Sequence, residues 1–218
     1  MTGAIDEVTP KQLPVTARGR RSRQALLDAA KVVFARDGFA EARITDIADT
    51  AKVAHGSFYT YFSSKEEVFV ALLRELEDEL RSPGAAGTAD EHGKQHEPYE
   101  SILRANTVYL DAYHRNREIM IVWEQVATLN AEVEDLRRAA SDRFAARIEA
   151  AVRHWQGTGV ADPALDAACA AVALTGMVSN FVYRLSARRG KFDLESSARQ
   201  LSLLWANALG VRVPEHRV

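Results

Sequence analysis

The scarcest reactive residue in this sequence is cysteine, present once, at Cys169, in 218 residues. An internal disulfide is therefore excluded, and with it the stapled scaffolds of small exported domains. Cys169 sits in an alanine-rich apolar segment, which predicts a small buried hydrophobe and a cytoplasmic compartment. Long apolar runs are also missing. Stretches such as 170–175 fall far short of the roughly 20 residues needed to span a bilayer. The N-terminal segment carries Asp6, Glu7, Pro10 and Pro14 where a secretion signal needs an apolar core, so neither export nor membrane insertion is expected.

Chemistry is equally thin. The sequence contains no P-loop, GxGxxG, GxSxG or CxxC. A helical di-metal enzyme needs repeated Glu-x-x-His pairs on facing helices, and these are absent. His92 and His96 stand four apart beside Glu91 and Glu97, but in a glycine-rich stretch that reads as a solvated loop, so no metal site and no cofactor are expected. What remains is a chain with 47% hydrophobic and 27% charged residues, the balance of a globular protein.

The net charge of −2 conceals an asymmetry. Residues 11–65 hold ten Lys and Arg against five acids, a net of +5, so the remainder carries −7. A basic quarter on an acidic remainder suggests a polyanion-binding module joined to something else.

Periodicity predicts an all-α fold: an N-terminal three-helix helix-turn-helix domain and a larger helical domain. Residues 1–17 read as a flexible arm, 18–81 as the helix-turn-helix domain, 82–97 as a linker or loop and 98–218 as the second domain. A basic cluster, 18–23, leads into a first helix from Ala25 with Leu26, Ala30, Val33 and Phe34 on one face, stopped by Gly38. A second helix starts near Thr45, a plausible N-cap. After a turn at 53–56, a third runs from Ser57 to Phe62. Ser64 and Glu67 form a capping box opening a fourth. Further helices are expected over 99–116, 117–128, 131–156, 163–188 (Asp162 as N-cap, Pro163 at N1) and 194–209.

Two short helices joined by a tight turn make a helix-turn-helix, whose second member enters the major groove. Phe58 and Phe62, four apart, would face the core with Ile47 and Val53. Tyr59, Thr60 and Tyr61 would then face outward, where they suit backbone and base-edge contacts, and Ser57 can meet phosphate.

Residues 21–69 closely resemble the DNA-binding domain of the TetR family of transcriptional regulators. The likeness lies in Ala29-Ala30-Lys31-Val32-Val33-Phe34 followed by Asp37-Gly38-Phe39, then Thr45-Asp46-Ile47-Ala48-Asp49-Thr50-Ala51-Lys52-Val53-Ala54, Gly56-Ser57-Phe58-Tyr59-Thr60-Tyr61-Phe62 and Ser64-Lys65-Glu66-Glu67. The resemblance implies that Thr45 and Lys65 contact phosphate, that Ser57, Tyr59, Thr60 and Tyr61 lie in or beside the major groove, and that His55 touches bases or caps the third helix. Arg18, Arg20, Arg21 and Arg23 look like an N-terminal extension laid along the DNA. The implied function is a repressor released from a near-palindromic operator on double-stranded DNA by a small effector. The alternative is a ligand-independent or architectural DNA-binding protein.

The resemblance also implies that 18–81 is the DNA-binding domain, that 98–218 is a helical ligand-binding and dimerisation domain, and that its last two helices form a homodimer interface. The apolar faces of residues 163–209 exceed what one small domain needs, which fits a four-helix bundle shared across a two-fold axis. Tyr109, Tyr113, Met120, Trp123, Phe144, Met177, Asn180, Phe181 and Tyr183 combine aromatics, flexible methionines and a few polar groups, which is the chemistry of a ligand pocket and equally of a core. Glu124, an acid in an apolar stretch, would neutralise a cation, bind a polar ligand group or face water. This content favours a lipid-like, acyl-thioester or aromatic effector over a sugar, with Glu124, Asn180 and Tyr183 as polar anchors.

Overall fold

The computed structural model describes residues 14, 16–80, 97–187 and 193–214, and all regular structure among them is helical. The order is α1 (Ala17–Glu41), α2 (Ile44–Thr50), α3 (His55–Tyr61), α4 (Lys65–Leu80), α5 (Pro98–Arg115), α6 (Arg117–Ala127), α7 (Ala131–Gly157), α8 (Ala167–Ala187) and α9 (Leu194–Leu209). Helices α1–α4 form a small N-terminal bundle and α5–α9 a larger domain. The arm, apart from its last residues, lies outside the described residues. So does the linker up to Glu97, with His92 and His96.

Helix α1 begins earlier than the apolar periodicity indicates. Thr16 Oγ1 accepts from the Gly19 amide at 3.1 Å and caps it. Arg18, Arg20, Arg21 and Arg23 therefore sit on a helix and not on an extended arm. Periodicity missed this because the first two turns are solvated and carry no apolar stripe. At the other end Gly38 (φ 74°, ψ 176°) breaks the helix. The turn folds Phe39 back, so that Phe34, Phe39 and Phe69 cluster with ring centroids 4.9–5.6 Å apart. This knot joins α1, α4 and the corner leading to α2.

The helix starts differ in detail. Arg43, not Thr45, precedes α2, because Ile44 is already helical; Thr45 lies in the first turn, exposed. Helix α3 begins two residues earlier than expected, with Ala54 before it. The box at α4 holds: Ser64 Oγ accepts from the Glu67 amide at 3.1 Å, while Glu67 returns to the amide and hydroxyl of Ser63. At α8 the cap is Asp166, whose carboxylate accepts from the Cys169 amide at 2.7 Å. Asp162 instead closes a turn onto the Ala164 amide, and Pro163 lies in that turn.

Helix α8 buries Ala167, Ala171, Leu174, Val178 and Val182 on one side. Cys169 falls on the opposite side and is exposed, contrary to the expected burial. Residues Ala167–Leu185 are long and apolar enough, by length and composition, to cross a bilayer, yet only 28% of that stretch is buried within the chain. Counting contiguous apolar runs overlooks this, because Thr175, Gly176, Ser179 and Asn180 interrupt them. Helix α9 packs mainly on α5, registered by a buried hydrogen bond from Asn106 Nδ2 to Ser202 Oγ at 3.0 Å. The α7–α8 turn is tied to the end of α9 by the Asp162 amide donating to the Leu209 carbonyl at 2.9 Å.

The backbone at Gly38 makes a testable claim. A Cβ there meets nothing within 4 Å, but a φ of 74° with an extended ψ is a glycine-only region. Gly38→Ala should destabilise by about 1–3 kcal/mol in urea unfolding. Gly56→Ala, in helical backbone and equally open space, should be neutral or stabilising by up to about 1 kcal/mol. Effects of the same sign and size would contradict this reading.

Candidate DNA interface and effector cavity

Helix α3 is anchored by its apolar side and open on the other. Phe58 is fully buried, and Phe62, which ends the helix, is 1% exposed. The turn before it is tight. Lys52 takes a left-handed conformation (φ 55°), and the Val53 amide donates to the Ala48 carbonyl at 3.1 Å, closing the end of α2. This sets α3 across α2 as a helix-turn-helix. Tyr59 is 45% exposed, His55 and Thr60 are exposed, and Ser57 is half-buried. The His55 and Tyr59 rings meet edge to face at 5.6 Å. Tyr61, expected outside, is half-buried against the core.

Around this face the cations divide. Arg18, Arg20 and Arg21 are exposed on the first turns of α1. Arg23 is held by the fold, 5.1 Å above the Phe62 ring and 4.0 Å from Glu75. Lys65 Nζ donates to the Ala40 carbonyl at 3.0 Å and lies over Phe39. An ammonium has three donors, so that bond leaves capacity for a phosphate.

The larger domain contains a cavity of about 340 Å³ between α5, α6, α7 and α8, with Glu77 of α4 at its edge. Tyr109, Tyr113, Met120, Trp123, Glu124 and Phe144 line it. The other four pocket candidates do not. Met177, Asn180 and Phe181 line a separate groove between α8 and α9, and Tyr183 is 42% exposed and in neither. Helical phase decides this: Val172, Thr175, Gly176 and Ser179, spaced i, i+3, i+4, i+7, form the stripe of α8 that faces the cavity. Sequence reading missed that stripe, along with Arg137, Arg143 and Arg147 of α7. The available signal was small residues at helical spacing opposite large aromatics, a pattern that leaves volume unfilled.

The cavity is polar at selected points. Tyr109 Oη and Ser179 Oγ are 3.5 Å apart. Tyr113 Oη, Trp123 Nε1 and Thr175 Oγ1 are buried with no hydrogen-bond partner among the described residues. Each such group costs about 1–3 kcal/mol if left unmet, so three around one cavity, on α5, α6 and α8, suit a lining that receives a polar guest. Burial pushes both tyrosines upward from the ordinary phenol value, Tyr113 strongly, and the Glu124 charge adds to both. Burial likewise raises Glu124, against the opposing charge of Arg137 and with that of Glu134.

Two polar ties join the N-terminal bundle to this domain. Glu77 of α4 accepts from Arg143 of α7 at 2.7 Å, at the cavity edge. The second centres on Asn116, 3% exposed at the α5–α6 corner. Its Oδ1 accepts from Lys31 of α1, and its Nδ2 donates to Glu79 of α4 at 3.1 Å and to the Ala112 carbonyl at 2.9 Å. Arg115 adds a bond to Glu79 at 3.0 Å. Burial works to raise Glu79, but the hydrogen bonds from Arg115 and Asn116 and the charges of Arg115 and Lys31 outweigh it and hold the carboxyl below its ordinary value. Among the described residues no group of three or more His, Cys, Asp or Glu could hold a metal ion.

Known proteins resemble this arrangement. Residues 26–72 match the family model described as bacterial regulatory proteins, tetR family. Over 93% of this chain and 91% of the relative, the sequence is 22% identical to a probable acrEF/envCD operon repressor of Escherichia coli K12. The fold resembles that of SmeT, the repressor of the Stenotrophomonas maltophilia multidrug efflux pump SmeDEF, with a TM-score of 0.72, 19% identity and coverage of 88% and 94% of the two chains. It also resembles the fatty acid degradation regulator FadR of Bacillus halodurans, with a TM-score of 0.70, 21% identity and coverage of 85% and 98%.

The Asn116 junction predicts two outcomes. Asn116→Ala removes the hydrogen bonds to Lys31, Glu79 and the Ala112 carbonyl at once and should cost about 1–3 kcal/mol in denaturant unfolding. Glu79 has a lowered folded value, so its contribution is complete above the unfolded carboxylate value and is lost as pH falls through the folded one. The stability gap between wild type and Glu79→Gln should therefore close as acid is added below the ordinary range of glutamate. A gap that persists there would contradict the charge network.

Proposed function

We propose that this chain, whose residues 26–72 match the tetR family of bacterial regulatory proteins, is a homodimeric repressor, released from a near-palindromic operator by a small, largely apolar effector. The observation that carries the reading is α3. Phe58 and Phe62 fix it in the bundle, while His55, Tyr59 and Thr60 stand exposed on the other side. Such a helix reads base edges in the major groove, with Ser57, Thr45 and Lys65 on phosphates and Tyr61 placed beside them. Arg18, Arg20 and Arg21 extend a basic surface along the backbone from α1. Two relatives named as repressors, one of an operon and one of an efflux pump, support the repressing sense.

The homodimer is built from α8 and α9. Leu204 (54% exposed) stands on the outer face of α9, beside the groove that holds Met177, Phe181 and Leu201 between the two helices. A second copy covering this surface accounts for an apolar helix that its own chain leaves largely open. A membrane is not needed for it, and the protein works in the cytoplasm. The effector site is the cavity containing Tyr109, Tyr113, Met120, Trp123, Glu124 and Phe144. A domain boundary in the segment 82–97 separates the reading head from the effector domain.

DNA flanking the protein's own coding region supplies the test. Tyr59→Ala should weaken binding to that site more than binding to random DNA. Lys65→Ala should weaken both, and should reduce the slope of log K against log salt by about one unit. Equal losses on random DNA for both variants, or binding with no site preference, would favour an architectural protein instead.

A further inference from the structure

We infer that the effector carries a positively charged nitrogen, an amine or quaternary ammonium on an apolar body, and that Glu124 receives it against the aromatic wall of the cavity. This rests on the effector-cavity reading above and narrows it to a class of ligand.

Glu124 lines the cavity, is half-buried, and makes no hydrogen bond or close ion pair among the described residues. The nearby guanidiniums are already committed. Arg137 donates twice to Glu134, at 2.8 and 3.0 Å, and acts on Glu124 only at longer range. Arg143 is bound to Glu77 at 2.7 Å. Arg147 lies over the Phe144 ring at 5.3 Å. A carboxylate removed from water without a partner is unfavourable, and a cationic guest supplies the partner that the protein does not.

The surrounding rings suit the same guest. Tyr109 lies 5.3 Å from Phe144 and 6.2 Å from Tyr113, centroid to centroid, and Trp123 lines the same space. Aromatic faces attract an ammonium through their quadrupole while accepting apolar substituents. An acyl chain ending in a carboxylate would instead bring a second negative charge to Glu124 and would have to take a guanidinium from its present partner. The charge on Glu124 therefore disfavours an anionic group beside it, although the aromatic and methionine content alone admits an anionic lipid.

The experiment uses the full chain and three probes of similar size: benzyltrimethylammonium, its uncharged isostere neopentylbenzene, and the anion 4-phenylbutyrate. Binding is followed by calorimetry and tryptophan fluorescence. Wild type should bind the cation about tenfold or more tightly than either other probe, the effect of one charge-assisted contact. Glu124→Gln should erase that preference and leave neopentylbenzene within about threefold of wild type, while Glu124→Asp should keep the preference. Tighter binding of 4-phenylbutyrate, or a cation affinity unchanged in Glu124→Gln, would overturn the charge assignment and leave the cavity as the effector site. Failure of folded wild type to bind any of the three would overturn the effector-cavity reading itself.

Discussion

The placement of α3 depends on how the N-terminal bundle is seated on the larger domain, and that seating turns on the buried Asn116 at the α5–α6 corner. One side chain meets Lys31 of α1, Glu79 of α4 and the last turn of α5. A buried amide of this kind has a limited set of satisfactory geometries, because losing a partner leaves a polar group unmet in a low-dielectric site. The apolar packing of α1 on α6 sets the distance between the two parts, and the junction sets their register. The Phe34–Phe39–Phe69 knot then carries the register into the corner before α2, and through α2 to α3.

The second tie runs past the cavity. Glu77 of α4 and Arg143 of α7 stand at the cavity edge, so a guest that alters the spacing of α7 acts on the helix leading back to the DNA-binding bundle. Packed helices move as units, and a ligand shifts such an equilibrium only by its differential affinity for the two arrangements. Couplings of about 1–3 kcal/mol are ordinary between linked sites and change the affinity for a DNA site about 5- to 150-fold. On the proposed reading, release of an operator would need no large rearrangement, only a spacing of two recognition helices that no longer matches the grooves.

Much of this was legible in the sequence, for reasons that separate along physical lines. The bounds of α9 follow from its apolar period and Gly210, which takes the left-handed conformation that ends such helices. Phe58 and Phe62 were readable as core because two aromatics four apart share a helix face. The start of α1 was not, because an arginine-rich solvated turn has no apolar period and only the Thr16 cap marks it. The cavity was half legible. Its aromatics are conspicuous, but Met177, Asn180, Phe181 and Tyr183 were assigned to it by residue type when phase places them elsewhere. The small residues Thr175, Gly176 and Ser179 create the space, and a residue that matters by its lack of volume leaves little mark in a sequence. Asn116 was equally silent, since a lone asparagine between two helices reads as a turn until its three partners are seen.

The proposal that two copies of the chain present their recognition helices at one fixed spacing is tested most directly by selecting bound sequences from a pool of random duplex DNA and measuring the stoichiometry of the winners. The account predicts enriched sites with two inverted half-sites, each pair of recognition helices spanning roughly 34–36 Å or a small multiple of it, and two or another even number of chains per site. A pool that enriches a single unrepeated half-site bound by one chain, or no sequence at all, would contradict it.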